Sequence, residues 1–180
     1  MESVKQKDKK SFDALKEIYG YKNKAQAPAL EKIVISVGTG KKVKVDKKIN
    51  EFIADRLAKI TGQKPSVRQA KKSNAGFKLR EGEPIGLAVT LRGSRMYSFL
   101  DKFIHIAVPR TKDFRGFKRE AIDAMGNLTL GIKEHTIFPE TGNEELKDVF
   151  SFAITFVTTA KSREEAEHYF DFIGLPFKKK

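Results

Sequence analysis

Cysteine is absent from the 180-residue sequence. That excludes a disulfide framework, thiol nucleophiles and thiolate metal sites. Histidine is scarce: His105, His135 and His168 are the three present, and they are scattered without metal-ligand spacing. No apolar run approaches the length of a membrane span, and the start, MESVKQKDKKSF, lacks the apolar core of a signal peptide. A soluble protein of a reducing, intracellular compartment is the expectation. No internal repeat or low-complexity segment is visible. Acid is also in deficit, with 23 Asp plus Glu against 36 Lys plus Arg, a formal charge of +13. Solubility alone does not need that excess. It predicts attraction to a polyanion, either nucleic acid or an anionic membrane surface.

The charge is unevenly placed. Lys59 to Arg80 holds seven basic residues and no acid, and Arg92 to Arg119 holds eight against two acids. Acids gather in Glu140 to Asp148 and at Glu164, Glu165 and Glu167. A basic run is often only solvated surface, but these two also carry glycines and aromatics.

Hydrophobic periodicity outlines the elements. Phe12, Leu15 and Ile18-Tyr19 predict a short N-terminal helix ended by Gly20, and Ala25 to Ala29 reads as a linker. In LEKIVISVGTG, Ile33, Ile35 and Val37 alternate with Lys32, Val34 and Ser36, as in a half-buried strand. A helix is expected from about Asp46, a candidate cap, to Ile60, with Ile49, Phe52, Ile53 and Leu57 on its apolar stripe. Ser66 to Ala70 predicts a short strand and Ile85 to Arg92 a stronger one. The latter points Ile85, Leu87, Val89 and Leu91 toward the core. Gly86, Ala88, Thr90 and Arg92 take its other face, which is small and polar. That face leaves room for a partner, although a plainly solvated face gives the same pattern. Ser94 is the expected cap of a helix bearing Met96, Tyr97, Leu100, Phe103 and Ile104. Leu128 to Ile132 and Phe150 to Val157 predict two more strands. Ser162 with Glu165 marks the start of a last helix with Ala166, Tyr169, Phe170 and Ile173 inward, and Lys178 to Lys180 form a basic tail. One domain over residues 1–180 is expected. Its class is α+β: a mainly antiparallel sheet, helices packed on one face, and a long basic loop at 71–84.

Catalysis finds little support. Gly38-Thr39-Gly40-Lys41-Lys42 lacks the spacing and hydroxyl of a phosphate loop. Asp113, Asp123 and Glu134 form no carboxylate constellation. Glu134 and His135, read as neighbours on a strand, diverge. Ser94 and Thr90 lack an activating partner. No cofactor or metal is expected. In TKDFRGFKREA, Phe114 and Phe117 lie among Lys112, Arg115, Lys118 and Arg119. Aromatics interleaved with cations can stack on bases, but anchoring of the loop to the core is the favoured reading for both rings.

Seven ordered blocks now carry a resemblance over nearly the whole chain: PALEKIVISVGTG, ITGQKP, AKKSNAGFKLREGEPIG, VTLRG, FIHIAVPRTKDFRGF, GNLTLGIKEHTIFPE and ITFVTTAKSREEA. The sequence resembles the bacterial-type L-five family of large-subunit ribosomal proteins. The resemblance implies a cytoplasmic, non-enzymatic constituent of the large ribosomal subunit. It would anchor 5S rRNA to large-subunit rRNA in the central protuberance, beside neighbouring ribosomal proteins that include a small-subunit protein across an intersubunit bridge. A free RNA-binding assembly or regulatory factor is the alternative, and no membrane partner is expected. Ser36, Gln63, Thr90 and Arg92 are the expected 5S rRNA contacts. Arg68, Arg110, Lys112, Arg115 and Lys118 are assigned to other rRNA. The finger residues Lys71, Lys72, Ser73, Asn74, Ala75, Gly76, Phe77, Lys78 and Arg80 are assigned to peptidyl-site tRNA. Phe77 either stacks on RNA or packs at the base of the finger. The chain departs from the family pattern at three places: Ser36 replaces a usual asparagine, Ala29 a common arginine and His135 a frequent glutamine. Serine reaches less far than asparagine, which weakens the expected contact of the first strand.

Overall fold

The computed structural model describes residues 3–43, 48–142 and 149–178. Helix α1 (Val4–Tyr19) leads into strand β1 (Leu30–Gly38), a single helical turn α2 (Gly40–Val43) and helix α3 (Ile49–Thr61). Strands β2 (Ser66–Gln69) and β3 (Pro84–Leu91) form a hairpin, followed by α4 (Gly93–Lys102), β4 (Leu128–Ile132), β5 (Phe152–Thr158) and α5 (Arg163–Ile173). The five strands pair in the order β2-β3-β1-β5-β4, every pair antiparallel.

Alternation along each strand sends one set of side chains inward. Ile33, Ile35, Leu87, Val89, Leu130, Ile154 and Phe156 are buried from the sheet, and α1, α3, α4 and α5 lay their apolar residues over them. Leu57 and Ile60 of α3, Met96 and Leu100 of α4, and Tyr169 and Phe170 of α5 close the core. The helices therefore cover one face, and the other stays open, as the α+β reading expects.

Several boundaries differ from the sequence reading. Helix α1 begins at Val4, two turns before Phe12, because its buried stripe includes the polar residues Asp8 and Ser11. Asp46, expected to cap α3, lies outside the described residues, as do Lys179, Lys180 and most of the acidic segment ending at Asp148. Ser94 is not the cap of α4. Arg92 holds that position in extended conformation without a side-chain cap bond, and the helix runs on into a wider π turn over Phe103–Ala107. Phe150 is buried but precedes β5. Glu134 and His135 do not share a strand: β4 stops at Ile132, and His135 starts a buried 3-10 turn with its ring stacked on Phe150 at 4.1 Å.

The 71–84 connection is ordered, not structureless. The Ala70 N–H donates to the Glu83 carbonyl (2.9 Å) and the Gly82 N–H to the Ala70 carbonyl (3.0 Å). Farther out, Asn74 and Leu79 exchange two backbone bonds of 2.9 and 3.0 Å, closing a four-residue tip. Lys78 there adopts φ +48°. The ladder of the β2–β3 hairpin thus continues into the finger.

Gly86 has a packing reason to be glycine. It pairs with Gly38, and a Cβ on it would stand 2.6 Å from the Val37 carbonyl oxygen, inside any tolerable contact. Gly86→Ala is expected to force β1 and β3 apart and to destabilise by about 1–3 kcal/mol, read from urea unfolding. An unchanged midpoint would show that the strands part at no cost.

Candidate nucleic-acid interface

Strand register lines up the open face. Ser66 pairs with Ala88, Ala88 with Ser36, Ser36 with Ala153, and Ala153 with Gly131. One transverse row of small residues therefore crosses all five strands. At strand spacing it is a shallow trough about 19 Å long. On one side of it, Arg68 lies opposite Gly86 and Gly86 opposite Gly38. On the other, Thr90, Val34, Thr155 and Thr129 form a parallel row, with the last two hydroxyls 3.1 Å apart. The small residues let a bulky partner come close to the backbone.

Of the four residues expected to meet 5S rRNA, strand register puts Ser36 and Thr90 on this face, and Arg92 and Gln63 lie beside Thr90. Ser36 is exposed in the trough. Thr90 is half-buried in the next row, and Arg92, two residues on, is exposed where β3 gives way to α4. Gln63 sits in the turn after α3, and its Nε2 donates to the Thr90 backbone carbonyl at 3.2 Å. Part of its carboxamide thus serves the fold, while its remaining donor hydrogen and its oxygen still have bonding capacity. Arg68 is exposed on β2, at the same open face rather than with the 110–118 group.

Arg110, Lys112, Arg115 and Lys118 gather elsewhere. They line a groove of about 810 Å³ between the 110–118 segment and the outer edge of β4. The loop is pinned from inside: Phe117 stacks on buried Phe103 at 6.0 Å, and Phe114 meets Phe117 edge-on at 4.9 Å. Both rings anchor, as favoured, which leaves the cations to face outward. The Phe117 N–H donates to the Pro176 carbonyl and the Lys178 N–H to the Phe117 carbonyl, so the end of the chain is tied to the same loop. Gly116 is required there: its φ is +94°, and a Cβ would lie 2.6 Å from the Lys178 backbone nitrogen.

In the finger, Lys71, Lys72, Ser73, Asn74, Ala75, Gly76, Phe77 and Lys78 are all exposed, Phe77 by 71%. The Arg80 backbone N–H donates to Glu83 Oε2, which braces the return strand. Phe77 is at the tip, not packed at the finger's base.

Cation pairing separates these surfaces from the remaining basic residues. Arg119 is bound by Asp171 at 2.9 Å and Glu167 at 3.6 Å, and Lys102 by Glu140 at 2.6 Å. Among the described residues, Arg68, Arg92, Arg110, Lys112, Arg115 and Lys118 form no such pair. Charge left without an internal partner is what a phosphate backbone takes up. Among those residues, too, no group of three His, Asp or Glu side chains could hold a metal ion, and no helix is long and apolar enough to cross a membrane.

The sequence reading missed Ser66, Gly131, Lys133, Ser151 and Lys178. The period-two pattern of β4 holds a signal for two of them: Leu128, Leu130 and Ile132 are inward, so Thr129, Gly131 and Lys133 are outward.

An α+β sheet with one open, small-residue face and arginines without internal acidic partners beside it forms a surface suited to a polyanion such as RNA. Comparison with known proteins makes the assignment specific. A family model described as "Ribosomal protein L5" matches residues 23–80, and the model for the C-terminus of the same ribosomal family matches residues 84–177. The chain is 48% identical over 174 residues to "Large ribosomal subunit protein uL5" of Carboxydothermus hydrogenoformans, covering 95% of this chain and 97% of that protein. It is 51% identical over 168 residues to the protein of the same name from Flavobacterium johnsoniae, covering 93% and 91%. The chain belongs to the ribosomal protein L5 family. The two matched segments meet in the finger, and both supply strands to the one sheet.

Proposed function

We infer that the protein is a structural, non-catalytic constituent of the large ribosomal subunit that binds 5S rRNA through the open face of its sheet. The observation that carries this reading is the five-strand trough of small residues with Arg68 and Arg92 beside it. An RNA backbone can lie against such a floor, and hydroxyls such as those of Ser36 and Thr90 can meet 2′-hydroxyls. The arginines fork onto phosphate or a base edge. Arg110, Lys112, Arg115 and Lys118 extend the contact with ribosomal RNA. In this reading the protein sits in the central protuberance, its 180 residues acting as one unit. Its finger reaches peptidyl-site tRNA, and neighbouring ribosomal proteins, one of them across an intersubunit bridge, complete its surroundings.

Thr90→Ala and Arg92→Ala, measured separately for binding of 5S rRNA, test the face. The Gln63 bond is to the Thr90 backbone, so Thr90→Ala removes the hydroxyl without breaking it. Arg92→Ala is expected to weaken binding by about tenfold and to flatten the dependence on salt by about one phosphate contact. Thr90→Ala should cost about three- to tenfold, with little change in salt dependence. Circular dichroism checks that both variants fold. Unchanged affinity in both would reject this face.

A further inference from the structure

The trough does not stop at the edge of the sheet. A shallow concavity of about 440 Å³, floored by Ser36, Gly38, Ser151 and Ala153, adjoins the larger groove beside the 110–118 segment. Gly131, Ile132 and Lys133 line both. Gly131 is the last member of the transverse row, and a Cβ placed on it would meet nothing within 4 Å. The passage over the β4 edge is therefore open, and its floor has no side chain. Beyond it the groove collects six cations from three separate parts of the chain: Arg110, Lys112, Arg115, Lys118, Lys133 and Lys178. Asp113 and Glu134 are the two carboxylates on its lining. Among the described residues none of the six cations forms a salt bridge.

We propose that the trough and the cationic groove are one continuous RNA track. A single RNA backbone crosses from the sheet over Gly131 into the groove, with Lys133 as the phosphate contact at the crossing. Two features support one occupant rather than two. The surfaces share their lining at the β4 edge, and the charge rises along the path, from two arginines beside the small residues of the sheet to six cations in the groove without salt bridges among the described residues. The sheet reads shape and sugar with Arg68 and Arg92 beside it, and the groove adds the larger electrostatic share of the affinity. The proposal rests on the assignment of the open face to 5S rRNA. It differs from a division in which Arg110 to Lys118 meet a different RNA.

Binding of isolated 5S rRNA to the full chain tests it with three variants. Lys133→Ala should weaken binding by about three- to tenfold and flatten the salt dependence by about one contact. Gly131→Leu plugs the passage where the fold itself has free space. It should weaken binding by about tenfold and flatten the salt dependence, because the backbone no longer reaches the groove's cations, with the thermal midpoint retained. Arg115→Glu combined with Lys118→Glu should weaken the same binary complex. Suppose Thr90→Ala and Arg92→Ala weaken binding while all three variants bind 5S rRNA normally. The open-face assignment then stands, the track ends on the sheet, and the groove serves another partner. Normal binding by all five variants overturns the track and the open-face assignment together.

Discussion

Asp8→Ala is expected to destabilise the protein by about 3–5 kcal/mol, the combined cost of leaving several hydrogen-bond donors without their acceptor at about 1–3 kcal/mol each. Typical domains have about 5–15 kcal/mol in total. Asp8 lies on the inner stripe of α1 and is nearly inaccessible to solvent. Its Oδ2 accepts from the Tyr97 hydroxyl of α4 at 2.5 Å, and its Oδ1 accepts from the Tyr169 hydroxyl of α5 and from the Leu30 N–H at 3.4 Å. One carboxylate therefore ties three helices to the start of β1. Alanine would leave two phenol hydroxyls and one backbone donor without their acceptor, those of Tyr169 and Leu30 buried and that of Tyr97 part-buried. Asparagine keeps an acceptor oxygen and should cost less. Urea unfolding, with the slope unchanged, measures both, and a loss below about 1 kcal/mol for Asp8→Ala would show that the network relaxes onto water.

The same network sets a direction for alkaline stability. Burial, and then the hydrogen bond and the negative charge of Asp8, push the Tyr97 phenol well above its ordinary value. Burial, and then the charge and hydrogen bond of Asp8, do the same to Tyr169. A phenol that holds its proton more tightly in the folded state contributes stability that is complete below the unfolded value of about 10 and is lost as pH rises beyond it. Unfolding free energy should therefore fall as pH rises above about 10.

This network also explains where the sequence was hard to read. A buried stripe of Val4, Asp8, Ser11 and Leu15 follows helical spacing, but two of its four members are polar. A hydropathy pattern registers only the later part of α1, so the helix reads as short. His135 misleads in the same way. It continues the chain directly after β4, and nothing local says that its ring will be buried against Phe150. Polar residues whose partners come from distant segments leave no local period. The strands, by contrast, were legible, because Ile33, Ile35 and Val37, or Phe152, Ile154 and Phe156, bury one face with strict alternation.

The candidate site divides along the same line. Ser36, Thr90 and Arg92 could be placed together, since strand period alone fixes which way each points. Their alignment with Ser66, Ala153 and Gly131 needed the register between strands, which depends on pairings across the whole chain. Lys133 and Lys178 joined the 110–118 cations for a different reason. Phe117 stacks inward on Phe103 and pairs its backbone with residues 176–178, so two stretches about sixty residues apart face one groove. Charge runs gave the sign of the surface, and tertiary packing decided which runs share it.

Replacing Ser73 to Arg80 with a short Gly-Ser bridge is expected to leave 5S rRNA binding within about twofold and to weaken retention of tRNA in the peptidyl site of assembled ribosomes by about 10- to 100-fold. The first half follows from the hairpin. The β2–β3 ladder runs through Ser66–Ala88 and Arg68–Gly86, and the Ala70–Glu83 and Gly82–Ala70 bonds close the finger's base below the replaced segment. The sheet and its trough should survive. The second half follows from what the replacement removes: Lys78, Arg80, the ordered four-residue tip and the exposed ring of Phe77. Stacking of one base on an aromatic ring contributes about 1–3 kcal/mol, and each cation lost from a phosphate adds a salt-dependent share. The pre-closed tip matters too, because a finger already held by the Asn74–Leu79 bonds loses little conformational freedom on contact. Such a surface meets backbone and stacked bases rather than a codon, so the defect should be similar for every tRNA. Filter retention of peptidyl-site tRNA on ribosomes carrying the variant is the direct measurement. Normal assembly with unchanged retention would remove the tRNA role from the finger. A defect in 5S rRNA binding as large as that of Arg92→Ala would instead make the finger part of the RNA track on the sheet.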